Sequence, residues 1–480
     1  MFRKTNLLLV ILSIIIIFLG VSLAWGWVRA ASTPLSSIGW QQVNESGFGS
    51  MQNIGTLDTY KGQMYAGTWA PTGEMAEMWR TGDGKNWEQF SPTFTPDYAV
   101  IFDSQVFRDS LYIGTGSLYF NSDGTQIMRT GGTSWEVVAS DGFEDNDNFG
   151  MNALAVFSNT LIAATSNITT GIEVWGSPTG DLGSWEQLNT DGFGLGIAGQ
   201  DSIMDTYNGF LYYSQGTGPT LDPIATLLRT DDLITWTPVF TDGLGNPNNT
   251  NVSSMAEFKG DFYIGLRNLT DGGEVWRSSN GVDYSPVITG GLGDVNNMRP
   301  YGLIVYADYL YLVVNNPVNG AGIWRTSDGV SWEQVGFDGW GDSSNYFGDY
   351  IDKGATIFND SLFFGSFNSV TGGQIWQMIF SPDSVTISGP ASGELETGYG
   401  YTGTVTPITA TVPITYLWQA TDYAPFTMTV GITCTIIYNW AIPGIKQITL
   451  TASNAAGSAS NTYNVYIFAA NKIYLPISLK

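Results

Sequence analysis

Acidic and amide side chains in glycine-rich loops are the residues of this chain whose types and spacing best suit chemistry. Glu144, Asp145 and Asp147 cluster in one such loop, and Asp342 and Asp349 lie in another. Carboxylates and Asn carbonyl oxygens are the ligands that Ca²⁺ takes, so the first three are candidate calcium ligands. Their spacing differs from that of an EF-hand loop, and a solvated acidic loop is the favoured alternative.

Several reaction types are excluded by composition. The chain contains no histidine, which excludes Ser-His-Asp hydrolysis, Cys-His proteolysis and His-ligated zinc. No glycine-rich phosphate loop follows a strand and opens a helix. Cys434 is the single cysteine, and we expect a buried, inert thiol. No catalytic residue is assigned, and no cofactor other than Ca²⁺ is expected.

The charge of the chain limits its partners. It carries 18 basic and 43 acidic side chains, for a formal net charge of −25. Such a surface repels nucleic acid and anionic lipid. We therefore expect no nucleic-acid partner, and contact with a membrane only through an uncleaved N-terminal segment.

Residues 1–30 have the pattern of an export signal. Arg3 and Lys4 precede a nearly continuous apolar run, and Val28-Arg29-Ala30 fits a small-residue cleavage site. The apolar run approaches the length of a membrane span, so an uncleaved N-terminal anchor is the alternative. Both interpretations predict that the rest of the chain is extracellular or at the cell surface.

A repeat of about 50 residues carries the polar loops. Its marker aromatic recurs at intervals of 48, 50, 51, 48 and 48 residues, at Trp87, Trp135, Trp185, Trp236, Tyr284 and Trp332. A period of this length indicates one supersecondary unit copied along the chain. Each copy contains four short β-forming runs separated by Gly, Asp, Asn and Ser clusters, which are typical of hairpin turns.

The last copy of the repeat lacks its fourth β-forming run, and a matching run occurs before the first copy. Residues 39–43, GWQQV, match the fourth-run sequence GVSWEQV, and Trp40 precedes Trp87 by 47 residues. This strand can complete the last sheet and remove the edge that an open array leaves exposed. The sequence therefore predicts an all-β chain whose residues 34–380 form a seven-bladed β-propeller of four-stranded antiparallel blades.

Residues that recur once per copy are expected to be structural. We interpret the marker Trp as packing between blades rather than stacking on a sugar. An Arg ends the third run in five copies, and we expect it to hydrogen-bond carbonyls or the turn Asp of its own blade; these are Arg80, Arg129, Arg229, Arg277 and Arg325. Beyond the export segment, the arginines outside this position are Arg108, Arg267 and Arg299.

The loops that join a fourth strand to the next first strand are the candidate ligand face. One Asn recurs in them six residues after a Gly, at Asn53, Asn148, Asn249, Asn297 and Asn345. The favoured interpretation is a side chain that bonds its own turn. The candidates for ligand contact are Asp145, Asp147, Asn148, Asp201, Asn251, Asn297, Arg299, Asp342, Asn345, Tyr346 and Asp349.

Three turn sequences carry a family resemblance. RTSDGVSW (325–332), RTGDGKNW (80–87) and RSSNGVDY (277–284) resemble the Asp-box of sialidase-type propellers, with the Gly directly after the Asp or Asn. In that family the box is a structural hairpin remote from the active site. The resemblance therefore implies a propeller over residues 39–380 and implies nothing about activity.

Residues 383–470 differ in composition from the repeat. PITYLWQA (413–420) and ITLTASNAAGSAS (448–460) resemble the polycystic-kidney-disease (PKD) type of immunoglobulin-like module. That resemblance implies a β-sandwich, which in the family serves as a spacer or an adhesive unit. Residues 471–480 form a tail similar to the Tyr-Leu-Pro tails of some exported bacterial proteins; a plain terminal strand is the alternative.

Three functions fit these patterns. The favoured one is a non-enzymatic extracellular or cell-surface protein whose propeller face binds a glycan or a protein. The alternative is a carbohydrate-active hydrolase or lyase at the channel mouth, which requires two carboxyl groups about 5–10 Å apart. The third is a structural envelope or spacer protein.

Overall fold

The computed structural model describes residues 38–94, 98–117, 124–195, 202–215, 224–336, 338–346 and 353–469. Within these ranges the regular structure is β-strand, apart from six short 3₁₀-type turns. None of the described residues belongs to a helix long and apolar enough to cross a membrane. The predicted export segment, residues 1–30, and the tail, residues 471–480, lie outside the described residues.

The chain divides into two compact units, and the larger one comprises Ile38–Ser381 and Ser453–Gly457. Its strands follow one another in sets of four. The first three sets are β2 Asn53–Tyr60, β3 Gln63–Trp69, β4 Met78–Thr81, β5 Glu88–Gln89; β6 Val100–Phe107, β7 Ser110–Gly116, β8 Ile127–Thr130, β9 Trp135–Ala139; and β10 Gly150–Phe157, β11 Thr160–Ser166, β12 Val174–Ser177, β13 Glu186–Gln187.

The remaining sets repeat the pattern. They are β14 Ile203–Tyr207, β15 Phe210–Gln215, β16 Thr226–Thr230, β17 Thr237–Phe240; β18 Asn249–Phe258, β19 Asp261–Asn268, β20 Glu274–Ser278, β21 Ser285–Ile288; β22 Arg299–Tyr306, β23 Tyr309–Asn315, β24 Gly322–Thr326, β25 Glu333–Gly336; and β26 Ala355–Phe358, β27 Ser361–Gly365, β28 Ile375–Phe380 with β1 Ile38–Gln42. Consecutive strands of a set pair antiparallel.

Strand β1 completes the last set, as the front-shifted copy of the repeat predicts. Trp40 lies opposite Met378, and Gln41 lies opposite Gln377, in an antiparallel pair. Beyond the strand, the Val43 N–H donates to the Ile375 carbonyl over 2.9 Å. The predicted pairing of the strand around Trp40 with the sheet at the end of the repeat is therefore confirmed.

The first strands of the sets form a closed inner ring. Each lies against the first strands of the neighbouring sets, and β26 lies against β2. The Leu57 N–H donates to the Lys353 carbonyl over 2.8 Å, which joins the last set to the first. The ring therefore surrounds a central channel lined by first-strand residues.

Indole groups of the fourth strands join neighbouring sets. The indole N–H of Trp135 donates to the Phe90 carbonyl over 2.7 Å, and that of Trp185 to the Val138 carbonyl over 3.0 Å. The acceptor lies at the fourth strand of the preceding set in each case. The same bond is made by Trp40, Trp87 and Trp236. Their interpretation as packing residues between sets is confirmed.

The repeated Arg is structural, and at Arg80 and Arg129 it bonds a carbonyl group as expected, but that carbonyl belongs to the next set. The alternative, a bond from Arg80 to the turn Asp of its own blade, is wrong. Arg80 Nε donates to Glu88 Oε1 over 2.7 Å, so the acidic partner lies on the fourth strand. Asp83 Oδ1 instead accepts the backbone N–H groups of Lys85 and Asn86. The turn itself therefore uses the carboxylate. Equivalent pairs to a fourth-strand Glu are Arg129–Glu136 and Arg325–Glu333.

The smaller unit comprises Pro382–Ala452 and the described part of Ser458–Lys480. It contains two sheets, one of β29 Ser384–Ser388, β31 Tyr399–Thr406 and β34 Thr433–Tyr438, and one of β30 Ser392–Glu394, β36 Gly457–Phe468, β35 Gly444–Asn454, β32 Ile414–Ala420 and β33 Phe426–Val430. Trp418 and Cys434 are buried in its core, where the indole N–H donates to the thiol sulfur over 3.0 Å. Burial raises the pKa of the Cys434 thiol, and the prediction of a buried thiol is confirmed.

Candidate functional site

The repeated loop asparagines are buried in hydrogen-bond networks. Asn148 Nδ2 donates to the Gly142 carbonyl and to Glu173 Oε2, each over 2.8 Å. Asn148 Oδ1 accepts the Thr165 hydroxyl over 2.8 Å. The bond to the Gly six residues earlier recurs at Asn249, Asn297 and Asn345. The turn-forming interpretation is confirmed for these four side chains, which stabilise the loops from inside.

Asn53 departs from this pattern, because its Nδ2 is buried without a hydrogen-bond partner among the described residues. Asn251, a candidate for ligand contact, is also buried and lies directly across from Arg267 in the β18–β19 pair. Two candidates, Asp201 and Asp349, lie outside the described residues.

Two of the candidate loop carboxylates also bond within the fold. Asp145 Oδ2 accepts Asn167 Nδ2 over 3.1 Å, and its Oδ1 accepts the Asp147 N–H over 2.9 Å. Asp342 accepts the Ser344 N–H and Asn368 Nδ2 in the same way, which holds the pKa of the Asp342 carboxyl below its usual range.

The calcium candidates share one loop but differ in exposure. Glu144 and Asp147 are exposed, whereas Asp145 is half-buried. Within the described ranges, no group of three or more acidic, His or Cys side chains is arranged to hold a metal ion. Calcium binding by this loop stays a prediction.

A cavity of about 380 Å³ brings together two of the candidates with residues that the sequence did not indicate. Its described lining residues are Arg267, Leu269, Met298, Arg299, Asn315, Pro317 and Tyr346. Arg299 and Tyr346 were candidates for ligand contact. Among these described residues the two charged side chains are both arginines, so this part of the lining is basic and partly apolar in a strongly acidic chain.

Strand pairing positions the polar groups of this cavity. Arg299 opens β22 and lies opposite Asn315, the last residue of β23. The Arg299 guanidinium carbon lies 4.5 Å from the centre of the Tyr301 ring, and the side chain is only 4% exposed. Such packing fixes the direction of a planar donor.

The opposite walls come from the neighbouring sets. Arg267 is half-buried near the end of β19. The Tyr346 ring packs against Phe367, with ring centres 4.8 Å apart. Backbone hydrogen bonds join the segments that carry the lining residues. The Asn268 N–H donates to the Met298 carbonyl, and the Met298 N–H donates to the Asn315 carbonyl. Of the off-repeat arginines, Arg267 and Arg299 therefore line the same cavity, whereas Arg108 bonds the Pro178 carbonyl at a hairpin turn.

A second polar centre lies inside the channel, where Lys353 crosses from the last set. Lys353 Nζ donates to the carbonyl of Ser104 (2.8 Å), to Gln105 Oε1 (2.9 Å) and to the carbonyl of Leu154 (3.0 Å). It also lies 3.3 Å from Asp103 Oδ1. One ammonium group thus ties the last set to the second and third sets.

Burial changes the acidity of the channel carboxyl groups. Burial raises the pKa of Asp58 to about 6 and that of Asp205 to about 6, and it also raises the pKa of Asp103. The Lys353 charge opposes the increase at all three. Asp58 and Asp205 occupy the same position, two residues before the Tyr that ends their strand.

Comparison with known proteins gives distant structural likenesses. No family model and no curated protein matches the chain. The extracellular domain of a hybrid two-component system from B. thetaiotaomicron is 13% identical with a TM-score of 0.47, over 90% of this chain and 57% of that one. The chain thus spans little more than half of that protein.

Two further solved structures are similar to parts or all of the chain. Trypanosoma rangeli sialidase is 13% identical over 93% of this chain and 92% of its own, with a TM-score of 0.37. The PKD domain of an M14-like peptidase from a Thermoplasmatales archaeon is 22% identical over 18% of this chain and 97% of its own, with a TM-score of 0.16. At these identities and TM-scores the likenesses assign neither a fold nor an activity to this chain.

Proposed function

We propose that the chain is an exported, cell-surface or extracellular binding protein, in which a seven-bladed β-propeller (34–380) precedes an immunoglobulin-like sandwich of PKD type (383–470). Support for the propeller comes from the closed ring of first strands and the head-to-tail β1–β28 pair. Support for the sandwich comes from two sheets that share one core.

The propeller binds an anionic glycan in the Arg267–Arg299 cavity, and that cavity is the observation that carries the proposal. Its volume of about 380 Å³ suits one or two sugar rings. Guanidinium groups bind carboxylate and sulfate through paired N–H donors. Leu269, Met298 and Pro317 supply apolar contact for the faces of sugar rings.

The described part of the cavity lining contains no carboxyl side chain, which favours binding over hydrolysis. A glycoside hydrolase places two carboxyl groups about 5–10 Å apart at the scissile bond. The candidate carboxylates Asp145 and Asp342 instead bond Asn side chains inside their loops. A hydrolase or lyase is the alternative function, and release of sugar from a bound glycan is the result that would favour it.

The first test replaces Arg267, because it is less buried than Arg299 and its loss disturbs the fold less. We expect the wild-type protein to bind uronate-containing, sialylated or sulfated glycans on an array in preference to neutral ones. Arg267→Met should weaken that binding about tenfold or more, since a charge-assisted hydrogen bond contributes about 1.5–3 kcal/mol.

The matched control is Arg277→Met, the same change at a repeat position. Arg277 pairs loosely with Asp261, at 3.6 Å, and is not part of the cavity. Glycan binding by the Arg277→Met variant should equal that of the wild type. Equal binding of neutral glycans, or equal losses in the two variants, would contradict the proposed site.

A further inference from the structure

The channel contains a second cavity, distinct from the glycan cavity. Its volume is about 210 Å³, and Asp205 and Lys353 are the charged side chains among its described lining residues. Most of the wall is apolar; its members include Ile203, Met204, Met255, Leu303, Ile304 and Phe364. Tyr301 also lines this cavity and lies two residues along β22 from Arg299, which lines the glycan cavity, so the two cavities are neighbours along the strand with no described lining residue in common.

Lys353 does not neutralise Asp205 by direct contact. Its ammonium group bonds Ser104, Gln105 and Leu154 and lies beside Asp103, none of which is among the described lining residues, although its charge still lowers the pKa of Asp205. Lys353 and its neighbours Gly354 and Ala355 border the cavity.

The Asp205 carboxylate has capacity for another donor. The Thr206 N–H donates to its Oδ1 over 2.7 Å, and this is its hydrogen bond within the described residues. An ionised carboxylate has room for about four donors. Glu257 of the next set adds negative charge close to Asp205. The described lining therefore combines a carboxylate that has free acceptor capacity with mainly apolar side chains.

We propose that this channel cavity binds a small organic ammonium ion, with its charged group against the Asp205 carboxylate and its hydrocarbon part against the apolar wall. An inorganic cation fits less well, because hard cations require several oxygen ligands. A volume of about 210 Å³ accommodates a compact ring, since an apolar cavity of about 150 Å³ holds benzene. The site is independent of the proposed glycan site.

The experiment titrates the full chain at pH 8 with benzylammonium chloride by isothermal calorimetry. Benzyl alcohol, which has the same ring without the charge, and potassium chloride are the comparison ligands. We expect saturable binding of benzylammonium and at least tenfold weaker binding of both comparison ligands. Absence of saturation at millimolar benzylammonium, or equal binding of potassium, overturns the proposal.

Variants locate the ligand. Asp205→Asn should weaken benzylammonium binding at least tenfold, whereas Asp58→Asn, at the same strand position in a different set, should leave it unchanged. Leu303→Trp should fill the cavity and abolish binding with the charge intact, so the site remains testable if Asp205→Asn fails to fold. Equal affinity in wild type and Leu303→Trp would also overturn the proposal.

The pH dependence provides an independent readout. Because burial raises the pKa of Asp205 to about 6, its carboxyl group is protonated in a growing fraction of molecules below pH 6. Benzylammonium affinity should therefore be constant from pH 8 to 7 and fall on acidification below 6, with Glu257 and Lys353 as the other charged groups near the site. Affinity that does not change between pH 8 and 5 contradicts the role of Asp205.

Discussion

Replacing Lys353 by Met is expected to lower the free energy of unfolding by about 3 kcal/mol, because it leaves Asp103 as a buried charge without its cation. Asp103 is only 1% exposed, and the Lys353 side chain is 31% exposed. The variant also removes three hydrogen bonds that join the last set to the second and third sets. Chemical denaturation monitored by tryptophan fluorescence measures the change.

The control for this variant is Lys259→Met. Lys259 Nζ is exposed and donates to the Ser327 carbonyl, so its loss should change stability by less than about 0.5 kcal/mol. Equal effects of the two substitutions would show that the ammonium group in the channel has no special role.

The loss of unfolding free energy caused by Lys353→Met should also depend on pH, in a direction set by the pKa of Asp103. Burial raises the pKa of Asp103, and removal of Lys353 raises it further. A carboxyl group with a raised native pKa binds more protons in the native state than in the unfolded state, so acidification stabilises the fold. The difference in unfolding free energy between the wild type and Lys353→Met should therefore be smaller at pH 5 than at pH 8. A difference that does not change with pH would contradict the Asp103–Lys353 pair.

Replacing Trp40 by Ala is expected to cost about 3 kcal/mol, because one indole group holds the closing strand on two sides. Its ring packs against Phe364 and Trp340, with ring centres 5.6 and 6.3 Å away. Its N–H donates to the Val335 carbonyl in the preceding set. Removal of a large aromatic side chain from packed surroundings costs about 3–5 kcal/mol, and Trp40 is at the lower end because it is half-buried.

Trp40→Phe separates packing from hydrogen bonding. It keeps a ring and loses the indole N–H, so we expect a loss of about 1 kcal/mol. Thermal and urea unfolding of both variants provide the values. A loss below 1 kcal/mol for Trp40→Ala would indicate that β1 contributes little to the last set.

The sequence predicts the architecture well because each copy of the repeat contains recognisable strand-forming runs. The copy of the fourth run at Trp40 implies the β1–β28 pair, and the structure contains that pair. Recurrence once per repeat also identifies the structural role of Asn148 and of Arg80, although Arg80 bonds Glu88 and the Gly132 carbonyl of the next set rather than the turn Asp. Local periodicity carries this information.

The candidate sites are harder to predict from the sequence because each one combines residues from different four-stranded sets. Arg267 and Arg299 are marked only by their position outside the repeat, and nothing local shows that both border one cavity with Tyr346. The Lys353 contacts span 199 to 249 residues of sequence. A single sequence contains no signal for such a crossing, which depends on the closure of the ring.

Closure itself is the central claim, and a disulfide between the two ends of the repeat tests it most directly. Gln41 and Gln377 lie opposite each other in the β1–β28 pair. Opposed residues of antiparallel strands have Cα atoms about 4.5–5.5 Å apart, within the range of a disulfide. Cys434 is buried in the smaller unit and is replaced by Ala in all variants.

Mild oxidation of Gln41→Cys/Gln377→Cys in dilute solution, followed by peptide mass spectrometry, should give an intrachain bridge between residues 41 and 377 in most of the folded protein. The pair Gln41→Cys/Gln89→Cys, which joins the fourth strands of two different sets, should give none. Equal bridging in both pairs, or only intermolecular bridges between residues 41 and 377, would contradict the closed ring.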